Sequence, residues 1–244
     1  MNFLNYIYPV KPQFFEGKIG LDAGCGFGRH LFYAAEFGAE MIGVDLSEAV
    51  EAAYRNTKHL PNVHIIQADI YNLSFRDNSF DFIYSIGVLH HLPDPKEGFK
   101  SLLPLLKSGG AIFIWVYSTA RPGLNYLIEL IRKVTTKIPY KPLKYLCFLA
   151  ASLEWILLIK PYKILSTKSI SKNLINHIAP SRIKLYAQYP FQVSYADWFD
   201  RLSAPIRFYY SEDDIRQWFE EANLRNIIVS PTGAYGWRGF GEAC

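Results

Sequence analysis

The sequence predicts a doubly wound α/β fold, with a mostly parallel, seven-stranded sheet and a helical insertion after strand five. Three observations carry that prediction. Short β-branched and aliphatic runs alternate with helical patterns through the first half of the chain, as parallel strands with crossover helices do. A glycine-rich turn stands where the first strand hands over to the first helix. The alternation breaks after residue 117 and resumes near residue 210.

Strands are expected at 18–22, 40–45, 63–69, 80–86 and 111–117. Between them, helices are expected at 29–37, at 48–56 with Ser47 as N-cap, and at 94–106, ending at Gly109-Gly110. Ser211 reads as the cap of a last helix with Asp214 at its N3 position; Ile215, Trp218, Phe219 and Ala222 fall on one stripe of that helix. A sixth strand is expected at 224–229 and an antiparallel seventh within 233–241. The reading is one domain over 1–244, its body in 18–117 and 207–244, interrupted by a helical insertion at 118–206.

With 244 residues, half of them apolar and only 20% charged, the chain is neither a disordered tail nor a small disulfide scaffold. An aromatic share of 16% suggests a soft apolar ligand. Cys25, Cys147 and Cys244 are odd in number and widely spaced, which fits no disulfide framework or zinc site. No His/Cys cluster has metal-ligand spacing, so no metal is expected, and the cysteines suit a reducing, cytoplasmic setting. Residues 1–13 have apolar character without a basic stretch ahead or a small-residue cleavage site, unlike a secretory signal. Charge is unevenly placed: 118–190 carries twelve Lys or Arg and two acids, a net of +10, leaving −6 on the remainder.

The glycine turn reads Leu21-Asp22-Ala23-Gly24-Cys25-Gly26-Phe27-Gly28-Arg29, and its glycines let backbone approach a ligand closely. Asp45 ends the second strand, where a carboxylate accepts hydrogen bonds from ribose hydroxyls. Asp69 ends the third strand, within reach of an adenine amino group. The plain structural alternatives are a tight bend at the glycines, a helix cap at Asp45 and a turn at Asp69.

These motifs resemble the class I S-adenosylmethionine-dependent methyltransferases, Rossmann-like in fold, and within them the broad small-molecule group. The pattern is D-x-G-C-G-x-G, an acid ending strand two and A-D ending strand three; 80–85, 88–92 and 105–110 extend the likeness. The resemblance implies that Asp22, Gly24, Gly26 and Gly28 hold the methionine end of the cofactor, Asp45 the ribose, and Asp69 with Ile70 the adenine. It also places Cys25, Leu46 and Ser85 among the cofactor contacts. Ser108 replaces the proline usual in the K-P-G-G turn, Pro104 is expected to kink the preceding helix, and the covering N-terminal helix is short. A nicotinamide dehydrogenase is the rival, yet its G-x-G-x-x-G spacing is missing and Asp22 would sit poorly beside a pyrophosphate.

Transfer from a sulfonium needs alignment and exclusion of water, and a base only where the acceptor must lose a proton. His90 and His91 follow strand four and are the candidates for that base, with a purely structural role as the alternative. Tyr117, Tyr195, Trp198 and Tyr209 are candidates for the acceptor pocket, Phe199 and Tyr210 belong to the same aromatic group, and aromatic core is the alternative. His177 reads as an ordinary surface or packing residue.

In the insertion only Glu154 is charged between residues 145 and 159, a run of about 22 Å as a helix and too short for a hydrocarbon core of about 30 Å. Leu124, Leu127, Ile128 and Ile131 form an apolar face expected to rest on an apolar surface. Two readings stand. One is a lid or acceptor-binding region over the sheet; the other is a foot on anionic lipid, rimmed by Lys133, Lys137, Lys141, Lys144, Lys160, Lys163 and Lys168, which makes the protein peripheral on the inner face of the membrane. No RNA-binding motif accompanies the charge, so nucleic acid is not an expected partner. The function expected is methyl transfer from S-adenosylmethionine to an O, N or C atom of a small or lipid- or carrier-linked acceptor. A non-catalytic module that binds the same cofactor is the alternative.

Overall fold

The computed structural model describes residues 3–166, 175, 177–233 and 235–244. Two compact units emerge, one of residues 1–121 and 206–244, the other of residues 122–205, the stretch read as an insertion.

The first unit is built on a seven-stranded sheet of order β3-β2-β1-β4-β5-β7-β6. Its strands are β1 Ile19–Ala23, β2 Glu40–Asp45, β3 Val63–Gln67, β4 Phe80–Ile86, β5 Leu106–Tyr117, β6 Arg225–Pro231 and β7 Gly236–Glu242. β1 to β5 pair in parallel, and β7 runs antiparallel between β5 and β6. The expected strands are all present, and the chain reverses its winding between β1 and β4, where sheets of this topology take ligands. Burial on both faces explains the near-continuous apolar runs of β4 and β5.

The helices of this unit before the second unit begins are α1 Phe3–Tyr6, α2 Arg29–Glu36, α3 Ala49–Thr57 and α4 Pro95–Lys100. α3 starts one residue later than expected and its N-cap residue is Glu48: the Ser47 hydroxyl donates to Asp45 at 2.6 Å while its oxygen accepts the Ala49 amide at 3.3 Å. α4 is also shorter than the expected 94–106. Asp94 caps it, but Pro104 sits in a 3-10 turn at Leu103–Leu105 and β5 begins at Leu106. Gly109, at φ +73°, therefore lies within a strand rather than past a helix, and its amide donates to the Ala243 carbonyl.

Alternate side chains of the sheet feed two cores. Leu21, Ile83, Ile112 and Ile114 pack with Phe99 and Phe219 on one face. Phe82, Tyr84 and Phe113 pack with Phe3, Phe15 and Leu31 on the other. Part of the aromatic richness goes into this second core, where Phe15 meets Phe82 edge-on at 5.0 Å between centroids.

The second unit contains α5 Pro122–Thr135 and α6 Tyr140–Glu154, then a π-turn at Trp155–Ile159 leading into α7 Lys160–Leu165; α8 Ser181–Tyr186 and α9 Phe191–Ser203 follow. From Tyr140 to Leu165 the chain is one helix of 26 residues, long and apolar enough by length and composition to cross a membrane, with 28% of its apolar window buried. This corrects the 15-residue reading. Pro161 lacks an N–H and crowds the preceding turn, and the wide π-turn before it lets the helix continue. Lys168 lies outside the described residues.

α5 carries the expected apolar face, and that face lies exposed. Its buried residues are Arg132 and Thr135, which reach the carbonyls of Arg201, Ala204 and Leu202 at the end of α9, while Leu124, Leu127 and Ile131 are exposed. Those last carbonyls of α9 have no partner within their own helix, and an inward guanidinium satisfies them. α10 Glu212–Glu221 returns to the first unit with the expected capping box of Ser211 and Asp214, and buries Ile215, Trp218 and Phe219.

Candidate active site

The glycine turn links β1 to α2 at the point where the sheet reverses. The amides of Gly24 and Cys25 both donate to the Val44 carbonyl at 2.8 Å, which sets the turn across the end of β2. Gly24 takes φ +90°, and a Cβ there would come within 2.3 Å of Val88. Gly26, at φ +53°, is different: a Cβ on it would meet nothing within 4 Å, so its backbone borders open space. Gly28 is the N-cap residue of α2.

Asp45 is braced from two sides. Its Oδ2 accepts the Gly26 amide at 2.8 Å, and its Oδ1 accepts the Ser47 amide and hydroxyl at 2.9 and 2.6 Å. A carboxylate has about four lone-pair directions, so one remains for a ligand. Leu46 beside it is 68% exposed, an apolar side chain left in the open. Asp69 caps the 3-10 turn Ile70–Asn72 by accepting the Tyr71 amide on Oδ1, and Ile70 is buried beneath it.

Asp22 points into the sheet beneath this turn. It is 1% exposed, and its Oδ2 has no hydrogen-bond partner among the described residues. Burial pushes its carboxyl well above the carboxylate range, more strongly than the neighbouring Tyr84 hydroxyl pulls it down. Cys25 packs inward, and burial raises its thiol in the same way. Ser85 is fully buried and donates to the Ala23 carbonyl at 2.8 Å, so its hydroxyl ties β4 to β1 and has no surface to offer a ligand.

A second cluster stands beyond β4 and β5. His90 and His91 lie in a 3-10 turn with ring centroids 4.2 Å apart, and Tyr117 is 4.2 Å from His90. His90 is buried, which holds its imidazole neutral far below the ordinary histidine range. His91 differs, because its Nδ1 sits 2.7 Å from the Ile206 carbonyl oxygen. Only an N–H meets a carbonyl this way, so the neutral ring keeps its lone pair on Nε2. The chain at 206–210 is held alongside by Phe208 N–H to the His90 carbonyl and Tyr210 N–H to the Tyr117 carbonyl, both 2.9 Å.

The structure thus brings Tyr117 and Tyr209 together, with centroids 6.1 Å apart. It adds Arg207, whose guanidinium lies 4.5 Å over the Tyr117 ring. Sequence reading missed Arg207; the signal was its place between the aromatic stretch at 195–199 and Tyr209. Tyr195 and Trp198 belong to the other unit. There they pack around Leu143, Cys147 and Leu202, and the Trp198 indole donates to Glu154 at 2.7 Å. Among the described residues no group of three His, Cys, Asp or Glu stands ready for a metal.

Residues 21–114, the stretch from the glycine turn to β5, match the family described as a methyltransferase domain. A ubiquinone biosynthesis O-methyltransferase of Coxiella burnetii is 31% identical over 152 residues, covering 55% of this chain and 64% of that protein. A demethylmenaquinone methyltransferase of Staphylococcus haemolyticus is 38% identical over 101 residues, 39% of this chain and 42% of that protein. The matches span less than two thirds of the length of these curated relatives. The solved structure of a SAM dependent methyltransferase from Aquifex aeolicus shares the fold over 94% of this chain and 84% of that one, with a TM-score of 0.52 and 16% identity.

Proposed function

We propose, from the premise that residues 21–114 form a class I S-adenosylmethionine-dependent methyltransferase domain, that this chain transfers a methyl group to a small-molecule acceptor. The observation that carries the reading is the orphaned, buried Asp22 Oδ2 beneath a glycine turn whose Gly26 borders open space. An ammonium is the partner such an acid lacks, and an adenosyl group suits the braced Asp45 and the exposed Leu46. The residues present therefore fit the cofactor. Asp22 and the Gly24–Gly28 backbone would hold its amino-acid end, Asp45 its ribose, and Asp69 with Leu46 and Ile70 its adenine.

When bound, S-adenosylmethionine supplies a methyl group already activated on a sulfonium. The chain's own work is to bind, to align and to keep water out. Tyr117, Tyr209 and Arg207 would line the side where the acceptor sits, and His91 Nε2, buried in this structure, is the nitrogen that a hydroxyl acceptor would have to reach to lose its proton. His90, buried and neutral, would support the turn. Two relatives named for quinone biosynthesis support an apolar ring as acceptor, free or linked to a lipid or carrier. The free thiols Cys25, Cys147 and Cys244 suit a cytoplasmic setting.

Calorimetric titration with S-adenosylmethionine, its demethylated product and NAD tests the reading, followed by a labelled-methyl transfer screen on soluble and membrane extracts. Binding of the first two compounds and a labelled acceptor support it. Binding of NAD instead would overturn it, and tight cofactor binding with no labelled acceptor in any extract would favour the non-catalytic module.

A further inference from the structure

Two helices of the second unit carry broad apolar faces on the outside. α5 buries Arg132 and Thr135 and exposes Tyr126, Leu127, Ile131 and Val134. The long helix Tyr140–Leu165 does the same along its middle. Leu149, Leu153, Ile156 and Leu157 are more than half exposed, and the sole charge of that stretch, Glu154, is turned inward. There Arg182 grips both Glu154 oxygens at 2.6 and 3.1 Å, and Trp198 and Ser194 donate to the same carboxylate. Asp197 closes the cluster by accepting from Arg182 and Arg201, both at 2.7 Å. Glu154 and Asp197 are thereby withdrawn from the apolar outer face. A water-facing helix shows the opposite pattern, and an exposed apolar surface of this extent marks an interaction site.

The charge around the face says what that site takes. Lys133, Lys137, Lys141, Lys144, Lys160 and Lys163 are exposed, at the end of α5 and at both ends of the apolar run of the long helix. Over residues 122–205 there are twelve Lys or Arg and four acids. We propose that α5 and the helix Tyr140–Leu165 dock this chain on an anionic lipid bilayer, their apolar outer faces sunk into the headgroup and upper acyl region and their lysines meeting the lipid phosphates.

The helix rests in the surface rather than crossing it, because its inner face is committed to an ionic cluster that hydrocarbon would not tolerate. Such helices settle about 5–10 Å into the boundary. The same lysines disfavour a second copy of this chain on the face, since like charges would meet across it, and the leucine-rich centre offers nothing to a nucleic acid backbone. The proposal concerns the second unit alone and does not rest on methyl transfer, so vesicle binding tests it without turnover.

The test is co-sedimentation of the full chain with vesicles of phosphatidylcholine, with and without phosphatidylglycerol, over a salt series. Binding to the anionic vesicles should weaken as salt rises. Each Lys→Gln change among Lys141, Lys144, Lys160 and Lys163 should lower it by about fivefold. The variant L149E/L153E/L157E should abolish it while leaving cofactor binding by calorimetry intact, since all three side chains are exposed. No sedimentation with anionic vesicles at low salt would overturn the proposal. So would binding that L149E/L153E/L157E leaves unchanged, or a concentration-dependent dimer that vesicles do not dissociate.

Discussion

The Asp45 carboxylate accepts the Gly26 amide at 2.8 Å, so the acid that ends β2 also braces the tip of the glycine turn. Together with the two bonds from Ser47, this leaves the carboxylate oriented before any ligand arrives. A site that needs no rearrangement to bind loses less affinity to ordering.

Asp45→Ala should therefore weaken cofactor binding twice over, by removing a charged acceptor and by loosening Gly26. Loss of a charge-assisted hydrogen bond costs about 1.5–3 kcal/mol. Calorimetry with S-adenosylmethionine reads that as roughly tenfold to a hundredfold, and an unchanged affinity would remove Asp45 from the site.

Asp22 makes a prediction about pH. Burial raises its folded-state pKa well above 3.8, so the folded chain keeps a proton that the unfolded chain gives up. The stability this site contributes is complete below the unfolded value and drains away as the pH rises toward the folded one. Asp22→Asn removes that titration with little change of shape. At neutral pH the variant should melt a few degrees higher, at about 2–4 °C per kcal/mol for a chain of this size, yet bind cofactor less tightly. A variant that is both more stable and an undiminished binder would show that Asp22 serves the fold alone.

His30 has the opposite sign. It is buried in the first turn of α2 against Phe3, which lowers its pKa to about 3. The folded chain holds the ring neutral, so the site's contribution to stability is complete above pH 6.5 and is lost as the pH falls toward 3. Thermal melts between pH 7 and pH 4 should drop more steeply for the natural chain than for His30→Phe.

Much of this was legible in the sequence because the cues are local. The acids Asp45 and Asp69 stand where apolar strand runs stop, and Ser211 with Asp214 announces the last helix within four residues. What escaped depends on distant partners. Gly109-Gly110 reads as a helix stop, yet β5 runs through it because Ala243 receives the Gly109 amide. The direction Glu154 faces was unreadable because Arg182 and Trp198 lie 28 and 44 residues away. The apolar stripe of α5 is legible too, but periodicity marks a stripe without saying what covers it, and the structure leaves this one exposed.

Glu154 should hold the second unit together. Breaking a buried ion pair by removing one partner costs about 3–5 kcal/mol, and here Arg182 keeps Asp197, which places Glu154→Ala at the lower end. Hydrogen exchange should show protection lost along residues 140–165 and retained in β1 and β2. Glu154→Gln, which can still accept from Trp198 and Ser194, should lose less.

His91 carries the prediction closest to the chemistry. With Nδ1–H donated to the Ile206 carbonyl, the proton-accepting nitrogen of the neutral ring is Nε2. His91→Asn keeps an N–H for Ile206 but offers no comparable base. For a hydroxyl acceptor, kcat should fall by about 10²–10⁴ while cofactor affinity is unchanged. An acceptor acidic enough to arrive already ionised should escape most of that loss, since no proton remains to be taken. Equal losses on both acceptors would mean that His91 shapes the pocket rather than moving a proton.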